Sequence, residues 1–150
     1  MNKKYRLVGY SYNPETGETN LCVSKSIKPV NMNGLLSYYL FKIKEQIKFK
    51  IYGKSWYEYR SHIIRNKDNM SLGRYIDING EYKLISYVQI YEVSYENDSI
   101  RYRDYTIKRS DDGRSFNAIS DNSKIGITSL ITKESQVFKF IDHLYEIEEK

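Results

Sequence analysis

The amino-acid sequence predicts one α+β domain over residues 1–150, built on a mostly antiparallel sheet of about six to eight strands. Three observations predict this class. Segments that alternate apolar and polar side chains are separated by turn residues, further segments repeat apolar residues at helical spacing, and no linker interrupts the chain. Hydrophobic residues make up 40% and charged residues 29%, which is typical of a folded globule. We expect helices to cover one face of the sheet.

Strands are predicted where apolar and polar residues alternate between turn signals. They cover residues 5–12, 19–25, 47–52, 55–65, 75–95, 100–109 and 116–119. The span 75–95 is predicted to fold back on itself as a hairpin, because Asn79-Gly80 is the strongest short code for a two-residue turn. Pro14 and Gly17 likewise suit a turn between the first two strands.

Helices are predicted from apolar periodicity, one near residues 34–46 and a pair at the C-terminal end. Asn33 is the expected N-cap of the first helix, but the same stretch also alternates from residue 41 onward, so a strand competes there. Ser123 is expected to cap a short helix that ends at Ile131. The last helix is predicted from apolar residues at Val137, Phe138, Ile141, Leu144 and Tyr145.

The cysteine count and the hydropathy pattern exclude several classes of protein. Cys22 is alone, so an intramolecular disulfide and a multi-cysteine zinc site are excluded, and its apolar neighbours favour a structural role. No segment has the apolar length of a membrane helix or a signal peptide, so we expect a cytoplasmic protein without a membrane partner. Phosphate-binding loops and nucleophile elbows are absent from the sequence. We expect no cofactor, no metal ion and no catalytic residue.

Few side chains suited to chemistry remain. His143 lies at the edge of the apolar face of the last predicted helix, where we expect a structural role, and for His62 an interface role stays open. Asp77, Glu81 and Lys83 are similar to the acidic and basic set of a metal-dependent nuclease. The predicted turn between the two acids puts them at an exposed hairpin tip, so we interpret them as solvated residues. An enzyme would need a site assembled from distant segments.

The most informative feature is a segment in which cations and aromatic rings interleave. Residues 42–74 hold nine basic and three acidic side chains, and the whole chain has a net charge of +5 and 16 tyrosines. The residues predicted to bind a partner, which we name the basic-aromatic segment, are Lys48, Lys50, Lys54, Trp56, Tyr57, Tyr59, Arg60 and Arg65. Such residues bind single-stranded nucleic acid and also dominate protein–protein interfaces. The third interpretation is that the rings fill the core.

A second basic cluster follows in the strand predicted at residues 100–109. In an extended strand, Arg101, Arg103 and Tyr105 would share one face, with Tyr102 on the other. An outward pair of Arg101 and Arg103 is therefore predicted to extend the positive surface of the basic-aromatic segment if the two strands are neighbours in the sheet.

The last third of the chain carries a skeleton of short motifs. They are Tyr105-Thr106-Ile107, Ala118-Ile119-Ser120-Asp121 and, at the end of a helix, Phe140-Ile141-Asp142-His143-Leu144. On these motifs, residues 105–149 resemble a small clostridial protein family of unknown function. The resemblance implies no activity, because none is known for that family.

The composition also indicates an origin and, with it, a kind of function. Lysine, isoleucine, tyrosine and asparagine have AT-rich codons and abound here, whereas alanine, which has GC-rich codons, occurs once, at Ala118. We expect the chain to come from a low-GC bacterium or its phage.

This origin, the small size and the lack of catalytic motifs favour a non-catalytic protein that binds a macromolecule, such as an inhibitor of a host defence nuclease. The expected partner is a protein, alone or in a nucleoprotein complex. The alternative is direct binding of single-stranded nucleic acid.

Overall fold

The computed structural model describes residues 2–46, 50–51, 54–55, 59–96, 98–111, 113–121, 126–129 and 133–148. The strands are β1 (Asn2–Tyr12), β2 (Thr19–Ile27), β3 (Lys50–Ile51), β4 (Lys54–Ser55), β5 (Ser61–Asn66), β6 (Ser71–Ile78), β7 (Glu81–Glu96), β8 (Ser99–Tyr102), β9 (Tyr105–Arg109), β10 (Phe116–Ser120) and β11 (Gly126–Ser129). The helices are α1 (Met32–Gln46) and α2 (Glu134–Glu148). Every strand pair is antiparallel, which together with the helices confirms the predicted α+β class.

The long strand β7 is central to the sheet because it pairs with three other strands. Along one edge it pairs with β1, and along the other it pairs first with β6 and then with β8. The sheet consequently has two limbs on that second edge, one continuing from β6 to β5 and one from β8 through β9 and β10 to β11. Nine of the described strands belong to this sheet, and β3 and β4 form a separate small ladder.

Helix α1 packs on one face of the sheet through an aliphatic core. Leu36, Leu40 and Ile43 of the helix are at most 2% exposed. Their partners from the strands are Leu7, Leu72, Ile76, Ile78, Ile85, Val88 and Ile90. Residues three or four positions apart lie on the same side of a helix, so the spacing that predicted α1 is also what forms this core.

Helix α2 packs on the opposite face. Leu7 and Val8 are neighbours in β1 and point to opposite sides of the sheet, and Leu7 belongs to the core under α1 whereas Val8 belongs to the core under α2. The expectation that helices cover a single face is therefore wrong, because β1 carries apolar residues on both faces. Contacts of α2 with both β2 and β10, which are far apart in the strand order, mean that the sheet curls around this helix.

The predicted hairpin between β6 and β7 is confirmed. Asn79 has a φ of 54° and Gly80 a φ of 86°, as a two-residue turn of this type requires. The backbone N–H of Gly80 donates a hydrogen bond to Asp77 Oδ1 at 3.0 Å, which closes the turn.

A second tight turn was not predicted. The strand expected over residues 100–109 is wrong at its centre, because β8 ends at Tyr102 and β9 begins at Tyr105. Arg103 has a φ of 53°, which is unusual for a residue other than glycine or asparagine. Contacts of its side chain with distant parts of the chain hold this conformation, as described below.

The structure also differs from both helix predictions that rested on an N-cap. The N-cap of α1 is Asn31, whose Oδ1 accepts a hydrogen bond from the Gly34 N–H at 3.3 Å, so Asn33 lies inside the helix. Residues 126–129 form β11 beside β10, where a short helix was expected. A β-branched pair, Ile127-Thr128, favours a strand at this edge. Ser123 and Ile131, the expected limits of that helix, lie outside the described residues.

The middle of the chain is more interrupted than expected. Of the strand predicted over residues 47–52, the structure describes only β3, and the rest lies outside the described residues. The strand predicted over residues 55–65 is not continuous, because Tyr59 and Arg60 precede β5 without belonging to it.

Candidate functional site

The structure describes only part of the basic-aromatic segment. Lys48, Trp56 and Tyr57 lie outside the described residues. Lys50 and Lys54 lie in β3 and β4, and their side chains are outside the described part of the chain. The role of these five residues in binding a partner stays a prediction.

The three remaining members of the segment lie at the two ends of β5. Tyr59 is half-buried and packs against the core under α1, whereas the neighbouring Arg60 is exposed. Arg65 is exposed at the other end, where its Nη1 donates a hydrogen bond to Asn33 Oδ1 at 2.6 Å. The fold thus places one exposed arginine at each end of β5. Tyr59 presents only part of its ring to solvent.

Strand β5 lies at an edge of the sheet and exposes apolar residues on both faces. Within the described residues it pairs with β6 and with no other strand. Ile63 and Ile64 are neighbours, so they point to opposite faces, and they are 54% and 48% exposed. Residues 60–67 include three cations, Arg60, Arg65 and Lys67, and no carboxylate.

The edge strand β2, in contrast, is protected. Cys22 is an extra residue in its ladder with β1, and such a β-bulge bends an edge away from further pairing. The backbone N–H of Leu21 donates a hydrogen bond to the carboxylate of Glu146 in α2. Both devices hinder addition of another chain at β2, whereas the described ladder of β5 with β6 is regular and has no bulge.

The described part of the chain covers only part of the sheet face that carries α2. Its uncovered part, formed by β5, β6, the first half of β7 and the end of β1, is called the bare half below, and the part under α2 is called the covered half. The bare half holds an open groove of about 470 Å³. The residues that line it, named here the tyrosine groove, are Tyr12, Tyr75, Leu84, Tyr87, Gln89 and Tyr91. All of them are half-buried.

The register of the β6–β7 hairpin places the rings of this groove. Tyr75 is opposite Leu84 in the ladder, so the two side chains lie on the same face. Gly73 leaves room for the Tyr75 ring, because a Cβ at position 73 would lie 2.9 Å from Tyr75 Cε2. Tyr87 Oη donates a hydrogen bond to Gln89 Oε1 at 2.6 Å, which orients the Tyr87 ring.

The aromatic surface continues from the groove to the β5 edge. The His62 ring stacks on the Tyr82 ring with centroids 4.8 Å apart, and Tyr82 is 53% exposed. His62 is opposite Tyr75 in the ladder, and Ile64 lies on the same face two residues farther on. Among the described residues that line the groove, none is a lysine or an arginine.

The covered half is also rich in tyrosine, but its hydroxyl groups bind inside the protein. Asp142 of α2 is fully buried and accepts hydrogen bonds from Tyr102 Oη at 2.7 Å and from Ser24 Oγ at 2.6 Å. It also pairs with Arg103 Nη1 at 2.9 Å. Tyr10 Oη donates to the backbone carbonyl of Asp142 at 2.7 Å. We name these five residues the Asp142 cluster.

Arg103 is buried, so the prediction of an outward pair of arginines is wrong. Its side chain is 5% exposed, and the guanidinium lies 3.5 Å from the Tyr145 ring centroid and 4.4 Å from that of Tyr91. The left-handed turn at Arg103 breaks the strand alternation that predicted an outward side chain. Arg101 is exposed, but its charge is paired with the Asp121 carboxylate.

The burial of the covered half changes the acidity of its phenols. Burial raises the pKa of Tyr102 well above its ordinary value, and the nearby negative charge of Asp142 raises it further. Burial likewise raises the pKa of Tyr145 to about 12. These tyrosines therefore stay protonated and act as hydrogen-bond donors at neutral pH.

The other candidate groups lie apart from one another. Burial raises the pKa of the Cys22 thiol, which makes it a poor nucleophile at neutral pH. His143 is exposed, with Nδ1 3.2 Å from Glu146 Oε2. Glu81 and Lys83 form an exposed ion pair of 3.3 Å at the hairpin end, as expected for solvated residues. Within the described ranges, no group of three or more His, Cys, Asp or Glu side chains is placed to hold a metal ion.

Sequence reasoning missed the tyrosine groove, although one signal for it was present. The two-residue turn at Asn79-Gly80 sets the register of its hairpin, and that register puts Tyr75 opposite Leu84. No local pattern, however, indicates which tyrosines α2 covers.

Comparison of the chain with protein-family models, with curated proteins and with solved structures finds no match. None of the helices that the structure describes is long and apolar enough to span a membrane. The function is therefore inferred from the surface itself.

Proposed function

We propose that this chain is a non-catalytic protein that binds another protein through the bare half of its sheet and the adjoining strand β5. The observation that carries the proposal is the tyrosine groove, an open groove whose lining includes four half-buried tyrosines and which lies on the same sheet face as the exposed Ile64. Tyrosine supplies a large apolar contact at a low cost in conformational entropy, and it is enriched at protein interfaces.

The charge distribution favours a protein partner over a nucleic acid. A nucleic-acid platform needs cations among its rings to neutralise phosphates, and the lining residues that the structure describes include neither lysine nor arginine. The exposed cations Arg60 and Arg65 lie at the ends of β5 instead, where they suit the rim of an interface and speed association.

The basic-aromatic segment belongs to the same proposal. Its residues Trp56, Tyr57, Tyr59 and Arg60 serve as anchors of the contact, and Lys48, Lys50 and Lys54 steer the approach of the partner. The narrower form of the proposal is an inhibitor of a host defence nuclease, acting in the cytoplasm of a low-GC bacterium on the nuclease alone or in its nucleoprotein complex. The compositional origin and the absence of a catalytic motif in the sequence support that form.

The test begins with affinity capture from a lysate of a low-GC bacterium and identification of the protein that co-purifies. The purified partner is then titrated with the wild-type chain and with Tyr75→Ala and Tyr87→Ala. We expect each groove variant to weaken binding by at least about tenfold, as hot-spot residues do. Tyr38→Ala, on the exposed side of α1, is the matched control, because that ring is 51% exposed and lies outside the groove.

Unchanged affinity in both groove variants would refute the proposal that the tyrosine groove binds the partner. Trp56→Ala and Arg60→Ala test the basic-aromatic segment in the same titration, and full retention of binding would remove that segment from the interface. Identification of the partner as a nuclease, with loss of its cleavage activity on binding, is the result expected for the narrower form.

The alternative function is direct binding of single-stranded nucleic acid, favoured by the open row of rings on a sheet face. Bases would stack on Tyr75 and Tyr87 while phosphates reach Arg60 and Arg65. This function requires retention of a labelled oligonucleotide at about 50 mM salt and a steep loss of affinity as salt rises. Absence of retention under those conditions eliminates it.

A further inference from the structure

Strand β5 has the composition of a strand from the interior of a sheet, although it lies at an edge. Interior strands carry apolar residues on both faces, and β5 presents Ile63 to one face and Ile64 to the other. Edge strands usually carry a bulge, a proline or a covering element that prevents pairing. The edge strand β2 has such protection, and β5 has a regular ladder with β6 on its inner side.

The charges of β5 determine which kind of strand could pair with it. Residues 60–67 contain three cations and no carboxylate. Pairing between the β5 strands of two copies would bring two such sets of cations together, and like charges across a ladder are destabilising. Arg74 adds a further positive charge next to β5, since it is opposite Ile63 and its Nη1 is 3.5 Å from Ser61 Oγ.

We propose that β5 accepts an extended segment of the protein partner as an additional strand of the sheet, and that this segment has apolar residues at its centre and carboxylates at its ends. The inference rests on the proposed function and names the mode of binding and the chemistry of the partner. Backbone hydrogen bonds join the two strands, the central apolar residues cover Ile63 and Ile64, and the terminal carboxylates pair with Arg60 and Arg65.

The probe is a synthetic peptide with a central run of valines, which puts apolar side chains on both faces of a strand, and with two glutamates at each end. The control peptide has lysine in place of every glutamate. We expect the acidic peptide to bind the wild-type protein, to protect alternate amide hydrogens of β5 from exchange, and to bind more weakly as salt increases. The lysine peptide should show neither binding nor protection.

A charge exchange in the protein sharpens this test. The double variant Arg60→Glu/Arg65→Glu should lose affinity for the acidic peptide by roughly tenfold or more, as expected when two exposed pairs become repulsive, and should gain affinity for the lysine peptide. The matched control is Lys108→Glu/Lys139→Glu, which changes the net charge by the same amount at exposed positions on β9 and α2. This control should bind the acidic peptide as the wild type does.

A pair of proline variants tests the backbone contribution. Alternate residues of an edge strand direct their N–H groups toward the neighbouring strand or away from it, so one of Ile63 and Ile64 has an outward N–H. Proline at that position removes a donor to the added strand and leaves the ladder with β6 intact. We expect the variant that keeps the wild-type unfolding midpoint to lose peptide binding.

Failure of the acidic peptide to bind, or binding without protection of β5 amides, overturns strand addition. Dimerisation of the wild-type protein that the charge exchange abolishes also overturns it, because the occupant of the edge is then a second copy. The proposed function is tested separately, since a captured partner that depends on Tyr75 and Tyr87 but not on Arg60 and Arg65 supports docking and refutes strand addition. If both proline variants unfold, the peptide affinities of the Arg60→Glu/Arg65→Glu variant alone decide whether β5 accepts an added strand.

Discussion

The covered and bare halves of one sheet face are built from the same residue type but differ in what packs over their tyrosines. Under α2, Tyr10 and Tyr102 are at most 2% exposed, and both hydroxyl groups bind to Asp142. In the bare half, Tyr75 and Tyr87 are half-buried, and Tyr82 is more exposed than buried. The role of a tyrosine in this protein is therefore decided by what packs over it and not by its place in the strand alternation.

From this difference we expect the covered half to stabilise the fold and the bare half to bind the partner. The Asp142 cluster holds α2 to the sheet through directional hydrogen bonds around a buried charge, so each of its members is costly to remove. The rings of the tyrosine groove contact solvent on one side and contribute less to the free energy of unfolding. Substitutions should accordingly destabilise the protein in the covered half and weaken partner binding in the bare half.

The largest effect is expected from Arg103→Met. This change leaves the Asp142 carboxylate buried without its cation and should lower the free energy of unfolding by about 3–5 kcal/mol. Urea unfolding followed by circular dichroism measures the loss. Arg109→Met is the control, because Arg109 also lies over an aromatic ring, that of Phe116 at 4.9 Å, but is exposed. Equal and small losses in both variants would mean that the buried ion pair does not hold α2.

A matched pair of phenylalanine variants compares the two halves directly. Tyr102→Phe removes a hydrogen bond to a buried carboxylate and should cost about 1.5–3 kcal/mol. Tyr87→Phe removes the hydrogen bond to Gln89 at a half-buried site and should cost about 0.5–1 kcal/mol. The same urea titrations measure both losses. A Tyr87→Phe variant as unstable as Tyr102→Phe would abolish the distinction between the halves.

High pH should weaken the covered half in particular. Burial raises the pKa of Tyr102 in the folded protein, whereas unfolded tyrosines ionise near pH ~10. Below that pH both states keep the proton and this tyrosine has no effect on the pH dependence. Above it, the unfolded chain releases protons that the folded protein retains, so the free energy of unfolding falls, by up to about 1.4 kcal/mol per pH unit for each such tyrosine. Urea midpoints between pH ~9 and ~11 should fall less steeply for Tyr102→Phe than for the wild type.

An equally small effect on stability is expected from Tyr82→Ala. The ring is 53% exposed and stacks on His62, so its removal should cost about 0.5–1 kcal/mol. Affinity for the purified partner should nevertheless fall severalfold, because the ring lies between the tyrosine groove and the β5 edge. Calorimetric titration measures the affinity and urea unfolding the stability. Loss of stability without loss of affinity would confine the interface to the groove.

Much of the fold could be predicted from local patterns. The Asn79-Gly80 turn, the first hairpin and the last helix each depend on residues close together in the chain, and the structure confirms them. The turn at Arg103 could not be predicted in this way. An arginine at positive φ is unfavourable locally, and it is held here by contacts with Asp142 and Tyr145, about forty residues away.

The candidate site was predictable only in kind. An aromatic surface bordered by cations was expected in the basic-aromatic segment, whereas the rings that line the described groove come from β1, β6 and β7, and none of those lining residues belongs to that segment. Tyr10 and Tyr12 show the reason. They lie on the same face of β1, yet Tyr10 is buried under α2 and Tyr12 lines the groove. Which tyrosine is buried depends on where α2, a helix from the other end of the sequence, packs on the sheet.

The bond between Tyr10 and Asp142 joins groups 132 positions apart, and this has a consequence for synthesis on the ribosome. The first hairpin emerges early, with Tyr10 and the buried Arg6 turned toward a helix that has not yet been made. The aliphatic core under α1 needs no residue beyond Ile90 and can close while translation continues. The nascent chain should therefore acquire its two cores in sequence, the second only after α2 has left the exit tunnel.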